Sequence, residues 1–174
     1  GRLTDAGITR CFVLKYDPTG LLLAGPLIST GTGAIVALNV TTDAKDDVYI
    51  TGYYVGTPKL SAILPSANGA FVAKADKNLT GWTWNTTTTA SGSSGTHDGR
   101  GIGVDPGSGD VFITGYFNGT ATMNATPGGT VSVLNTKTSS RYDYYVARLD
   151  PISGLAKWIV KGNGPANQDD ETRD

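Results

Sequence analysis

Residue types that usually carry chemistry are scarce. Cys11 is the only cysteine, so no disulfide can close within the chain, although secreted proteins do not require one. His97 is the only histidine, which excludes a two-histidine metal site on a single chain. Charge of either sign is thin: charged residues make up 17% and the net charge is -1. No basic field is present to hold nucleic acid or an anionic membrane. Long apolar runs are also missing. The longest, Leu21 to Ile28, contains Gly25 and Pro26 and falls well short of the roughly 20 residues of a membrane helix, so no membrane insertion is expected. The chain opens without a charged start followed by an apolar stretch and reads as lacking a signal peptide. No segment sustains a 3.6-residue period, which argues against helices.

What the sequence does have is glycine, threonine and short apolar segments. Its 24 glycines and 39% hydrophobic content suit turns and strands around a core. Self-similarity is the main signal. Asp47-Val48-Tyr49-Ile50-Thr51-Gly52-Tyr53-Tyr54-Val55-Gly56-Thr57 returns 63 residues later as Asp110-Val111-Phe112-Ile113-Thr114-Gly115-Tyr116-Phe117-Asn118-Gly119-Thr120, with eight of eleven positions identical. A second element occurs three times, at Cys11–Asp17, Ala70–Asp76 and Tyr144–Asp150. Trp84 and Trp158 each lie eight residues after the aspartate that ends it, and Thr41-Thr42-Asp43 corresponds to Gly103-Val104-Asp105. Each unit therefore runs through four short strands, the pattern of a propeller blade. The reading is all-β: blades of four antiparallel strands in an incomplete ring, with about two full blades and two partial ones. The divisions are 1–33 (last strands of a partial blade), 34–95, 96–160 with an insertion at 126–141, and 161–174 as the start of another blade. Both ends then fall inside a unit, and open strand edges need a partner.

Residues 47–57, 70–76, 110–120 and 144–150 carry a family resemblance. They resemble the bacterial SBBP repeat, a seven-bladed-propeller type of unit. Its form is an aspartate turn, Val-Tyr-Val-Thr-Gly, a variable arm, Asp-Ala-Phe-Val-Ala-Lys-Leu-Asp, and then a glycine-rich step to a tryptophan or aliphatic strand. The resemblance implies a β-propeller fold and an extracellular setting. It implies no particular activity, since propellers host many.

No residue pattern points to catalysis. His97 follows a Ser-Gly-Ser-Ser-Gly-Thr stretch and reads as an exposed loop histidine, with no nucleophile elbow for a triad. Cys11 reads as a buried, inert thiol. Asp43, Asp46 and Asp47, and Asp105 with Asp110, flank turns. They read as turn acids bonding their own backbone, so no cofactor is expected. Calcium is the one cation that such clustered oxygens would suit. Gly31-Thr32-Gly33 and Gly99 to Gly103 read as turns leading into strands. In Phe71-Val72-Ala73-Lys74 the lysine tip is expected to reach solvent.

Two sets of residues remain as candidates for surface roles. Trp82 and Tyr142 fall outside the repeated pattern and are candidates for a ligand or partner surface. Asn39, Asn78, Asn85, Asn118 and Asn124 begin Asn-X-Ser/Thr sequons, acceptor sites if the chain meets a glycosylation machinery. Asn39 lies in an expected strand and is the least suited. Asn85 opens a threonine run, Thr86 to Thr89, that reads as a loop. The functional expectation is a non-enzymatic, extracellular structural module. It would be glycosylated and would assemble with copies of itself or neighbouring chains into a fibre or surface layer. The alternative is a carbohydrate-binding, lectin-like module.

Overall fold

A computed structural model describes residues 1–5, 8–65, 67–91, 96–124, 134–135 and 142–162. They form thirteen strands: β1 (Arg2–Asp5), β2 (Ile8–Tyr16), β3 (Leu22–Ile28), β4 (Thr30–Thr42), β5 (Val48–Lys59), β6 (Ala67–Ala75), β7 (Trp82–Ser91), β8 (His97–Val104), β9 (Val111–Phe117), β10 (Thr120–Met123), β11 (Leu134–Asn135), β12 (Asp143–Leu149) and β13 (Ala156–Lys161). Among the described residues there is no helix, and so none long and apolar enough to cross a membrane.

Three antiparallel sheets result. The first has the order β1-β2-β3, the second β11-β10-β7-β6-β5-β4, and the third β13-β12-β9-β8. The all-β, blade-like reading holds, and among the described residues the sheets do not close into a barrel. Two details differ from expectation. The short strand β1 lies beside β2, with Arg2 opposite Cys11, so the partial first blade has three strands rather than its last ones alone. The second sheet has six strands, because β10 pairs along β7 and β11 pairs along β10. Thus the arm of the third unit covers the outer edge of the second. The rest of the 126–141 insertion, and nearly all of 161–174, lie outside the described residues.

The repeat explains the pairing. Gly52 and Gly115 hold the same place in the repeated strand. A Cβ on Gly52 would come within 1.9 Å of the Val36 carbonyl, and one on Gly115 within 1.9 Å of the Asp98 carbonyl. Only glycine lets the preceding strand approach this closely. Gly31 and Gly33 lie inside β4, and Gly99 to Gly103 inside β8. They are strand residues rather than turns, because close cross-strand packing tolerates no side chain at several of them. Thr86, Thr87 and Thr88, expected in a loop, are buried in β7. β-Branched threonine suits a strand.

The core is two clusters, one on each side of the second sheet. Cys11, Ile35, Ile50, Tyr54 and Phe71 fill the boundary with the first sheet. Tyr49, Val72 and Trp84 meet Val111, Ile113, Phe117, Leu149 and Ile159 at the boundary with the third. Each fully buried large side chain contributes about 1.5–3 kcal/mol. The second sheet is therefore the middle layer of a row of three.

Candidate functional site

Carboxylates are the richest candidates for chemistry, and each strand-ending aspartate closes its own turn. Asp17 Oδ1 accepts from the Thr19 hydroxyl at 2.7 Å and from the Thr19 and Leu21 amides. Asp76 Oδ2 accepts from Thr80 and Gly81, Asp105 from Gly107 and Ser108, and Asp150 from Ile152 and Ser153. The Thr19 hydroxyl bond does most to hold Asp17 below the usual carboxylate range, and the Ser108 hydroxyl does the same for Asp105. Asp105, and Asp43 through the Lys45 and Asp47 amides, form the turn-acid arrangement expected of them. Asp47 and Asp110 do not, because groups distant in the chain bind their carboxylates: Lys77 and Lys74 at Asp47, Arg148 and Lys157 at Asp110. Among the described residues, no three His, Cys, Asp or Glu side chains gather into a cluster fit for a metal ion.

Two larger clusters sit beside these turns, at the same place in successive repeats. In the second sheet, Lys74 Nζ lies 2.9 Å from Asp47 and 3.6 Å from Asp43, and Tyr49 donates to Asp43 at 3.0 Å. Burial works to raise the Asp43 pKa. The Lys45 amide, Tyr49 hydroxyl and Asp47 amide, with the charge of Lys74, outweigh it and hold the carboxyl below its ordinary value. Lys74 does not carry its tip out to solvent, because two carboxylates retain it. In the third sheet, Asp110 is buried and bound by Arg148, whose Nε donates at 2.7 Å, and by Lys157 at 2.6 Å. Burial again acts to raise Asp110, and the bonds from Lys157 and Arg148 prevail and lower it. A cleft of about 320 Å³ lies between the first of these clusters and two turns of the third sheet, lined by Asp43, Tyr49, Lys74, Asp105, Pro151 and Ile152. Its acids are ionised and already bonded. Such carboxylates hold protons weakly and serve as fixed anchors rather than as proton donors.

His97 is not in an exposed loop. It opens β8 and is 1% exposed. Its Nδ1 lies 3.0 Å from the Thr88 hydroxyl. Burial lowers its pKa to about 4, against a weaker opposing bond with the Asn118 backbone. Asp98 is turned to the other face of the strand. There it accepts from the Tyr116 hydroxyl at 2.8 Å and pairs with Arg100 at 3.0 Å. The two residues thus cannot work as a His–Asp pair. Cys11 is fully buried, and burial raises its thiol pKa, in line with an inert role.

Trp82 and Tyr142 are not brought together. Trp82 starts β7 opposite Ala75, at the aspartate-turn end of the second sheet. It is half-buried against the cluster of the first boundary. Tyr142 precedes β12 at the opposite end of the third sheet and meets the Tyr116 ring edge-on at 5.0 Å. The sequons divide in the same plain way. Asn78 and Asn124 are exposed. Asn118 is buried. Asn39 lies in β4 and donates to the Arg100 carbonyl at 3.1 Å. Asn85, in β7, accepts from the Ser61 hydroxyl and the Ala62 amide.

Lys74, Arg148 and Lys157 are ion-pair residues beyond those expected from the sequence. The signal was there: a basic residue recurs at Lys15, Lys74 and Arg148, two places before each repeated aspartate. The packing place of His97 has a similar signal. The first strands of the two units align at an offset of 62 residues, and that offset sets His97 on Ile35. Both are buried.

The chain is similar to an uncharacterized WD repeat-containing protein of Acanthamoeba polyphaga mimivirus, with 42% identity over 52 residues. The match covers 30% of this chain and 4% of the viral protein, so the chain spans a small part of that relative. No protein-family model matches the chain, and no solved structure matches it. The likeness supports a β-propeller type of repeat, in agreement with the blade-like sheets.

Proposed function

We propose that the chain is a structural and interaction module built from propeller-type repeats of the SBBP kind. It works outside the cell by assembling with neighbouring copies or chains, not by catalysis. The observation that carries this reading is the row of sheets. Among the described residues, the middle sheet is packed on both faces and each outer sheet on one. Sheet faces of this kind favour burial against a partner. The committed state of the polar groups is consistent with it, since the acids are fixed in turns and ion pairs. The extracellular setting rests on the SBBP resemblance alone. Glycans fit at Asn78 and Asn124, whose side chains are exposed.

Sedimentation velocity across a wide concentration range tests assembly, with weight-average mass expected to rise with concentration. A constant monomer mass would overturn it. Glycopeptide mapping of material from the native source tests the glycans, with sugar expected on Asn78 or Asn124 and none on buried Asn118.

A further inference from the structure

One strand motif occurs twice with two burial patterns. In β5, Val48 to Gly52 are all buried, whereas in β9 burial alternates residue by residue from Val111 to Phe117. The difference is a neighbour. The side of the second sheet that carries Tyr49, Val72 and Trp84 is covered by the third sheet. The equivalent side of the third sheet carries Phe112, Val146, Trp158 and Val160, half-exposed or exposed. The ring geometry repeats as well. Tyr49 and Trp84 meet edge-on at 5.9 Å and 63°, and Phe112 and Trp158 at 6.0 Å and 64°. Lys74 lies over Tyr49 as Arg148 lies over Phe112. The receiving surface is thus already formed on the third sheet.

The first sheet carries the matching surface. In the third sheet, Tyr145, Ala147 and Leu149 are the β12 residues turned toward the second. Their repeat equivalents are Phe12, Leu14 and Tyr16. With Leu22 and Ile28 of β3 beside them, these form the side of the first sheet turned away from the second. Its turn also fits. Trp84 docks on Pro151 and on Gly154, which has φ 72°. Asp17-Pro18-Thr19-Gly20 repeats that turn one residue shorter, with Gly20 at φ 89°. The middle turn, Asp76 to Gly81, has no proline, and the β3 strand that precedes it in the row has no tryptophan. A tryptophan-accepting turn therefore stands on the first sheet, and Trp158 is the tryptophan placed to fill it.

We infer that the third sheet of one copy docks on the first sheet of a second copy. Trp158 would seat against Pro18 and Gly20, continuing the row head to tail. This rests on the assembly reading above and names its two surfaces. Such a heterologous contact either closes into a ring or continues as a filament.

Two exposed positions test it in the full chain: Val160→Asp on the receiving face and Tyr16→Asp on the delivering face, 51% and 55% exposed. Far-UV circular dichroism matching the unsubstituted chain checks the fold. Each variant alone should raise the midpoint concentration of association at least about tenfold. An equimolar mixture should give a dimer and nothing larger, because one intact pair of faces remains. Unchanged association of both variants, or a mixture without dimer, would overturn this inference and leave assembly standing. A chain that is monomeric throughout would overturn both.

Discussion

The indole N–H of Trp84 donates to the Pro151 carbonyl at 3.1 Å, tying the second sheet to a turn of the third. Gly154 of the same turn lies beneath the ring: a Cβ there would come within 2.5 Å of it, at φ 72°. Gly154→Ala should cost about 1–3 kcal/mol through contact and backbone strain together. Trp84→Ala should cost about 3–5 kcal/mol. The double variant should cost less than the sum, because the clash leaves with the ring. Urea denaturation of the three variants checks this.

Acid sensitivity between pH 6.5 and 4 should come from His97. Burial lowers its folded pKa from 6.5 to about 4, so the unfolded chain binds the proton more readily in that window. The stabilisation is whole above pH 6.5 and is lost as the pH falls toward 4, about 3 kcal/mol in all. His97→Ile, which copies Ile35 of the previous unit, should flatten the stability profile over that range. A slope that survives the change would place the effect elsewhere.

Asp110 should be far more costly to neutralise than an exposed acid. It is 1% exposed and binds both Arg148 and Lys157. Asp110→Asn leaves two cations short of their acceptor, a loss of about 3 kcal/mol. Asp46, with a side chain 72% exposed and Lys15 at 3.9 Å, should tolerate Asn within about 0.5 kcal/mol. Because the Asp110 pKa is lowered, its contribution is present above pH 3.8 and fades below. Thermal melts of both variants at pH 7 and pH 3 make the comparison.

Cys11 should resist alkylation in the folded chain. Its side chain is buried and its pKa is raised by burial, against the Ser29 hydroxyl bond. Iodoacetamide labelling at pH 8 should be slow in buffer and rapid in denaturant. Rapid labelling of the native chain would show that the first sheet opens readily.

The repeat made much of this legible in advance. Val48, Ile50 and the paired aromatics announce strands, and the 63-residue echo announces like blades. The turn aspartates were readable too, because an Asx turn is local: the carboxylate and the amides it accepts from lie within a few residues. Side chains that answer to distant partners were not so readable. His97 follows a polar, glycine-rich stretch, and only the packing of β8 on the second sheet buries it beside Thr88. Lys74 has a solvent-seeking composition, yet Asp43 and Asp47 reach it from the turn between β4 and β5.

By its sequence, the chain determines its repeated strands, its aspartate turns and the order of its units, because those depend on neighbours along the backbone. The tertiary structure alone decides which face of each strand is covered. Phe112 and Tyr49 share a motif, yet Tyr49 is fully buried and Phe112 is not. Burial depends on whether another sheet lies above, and no stretch of residues carries that information within itself.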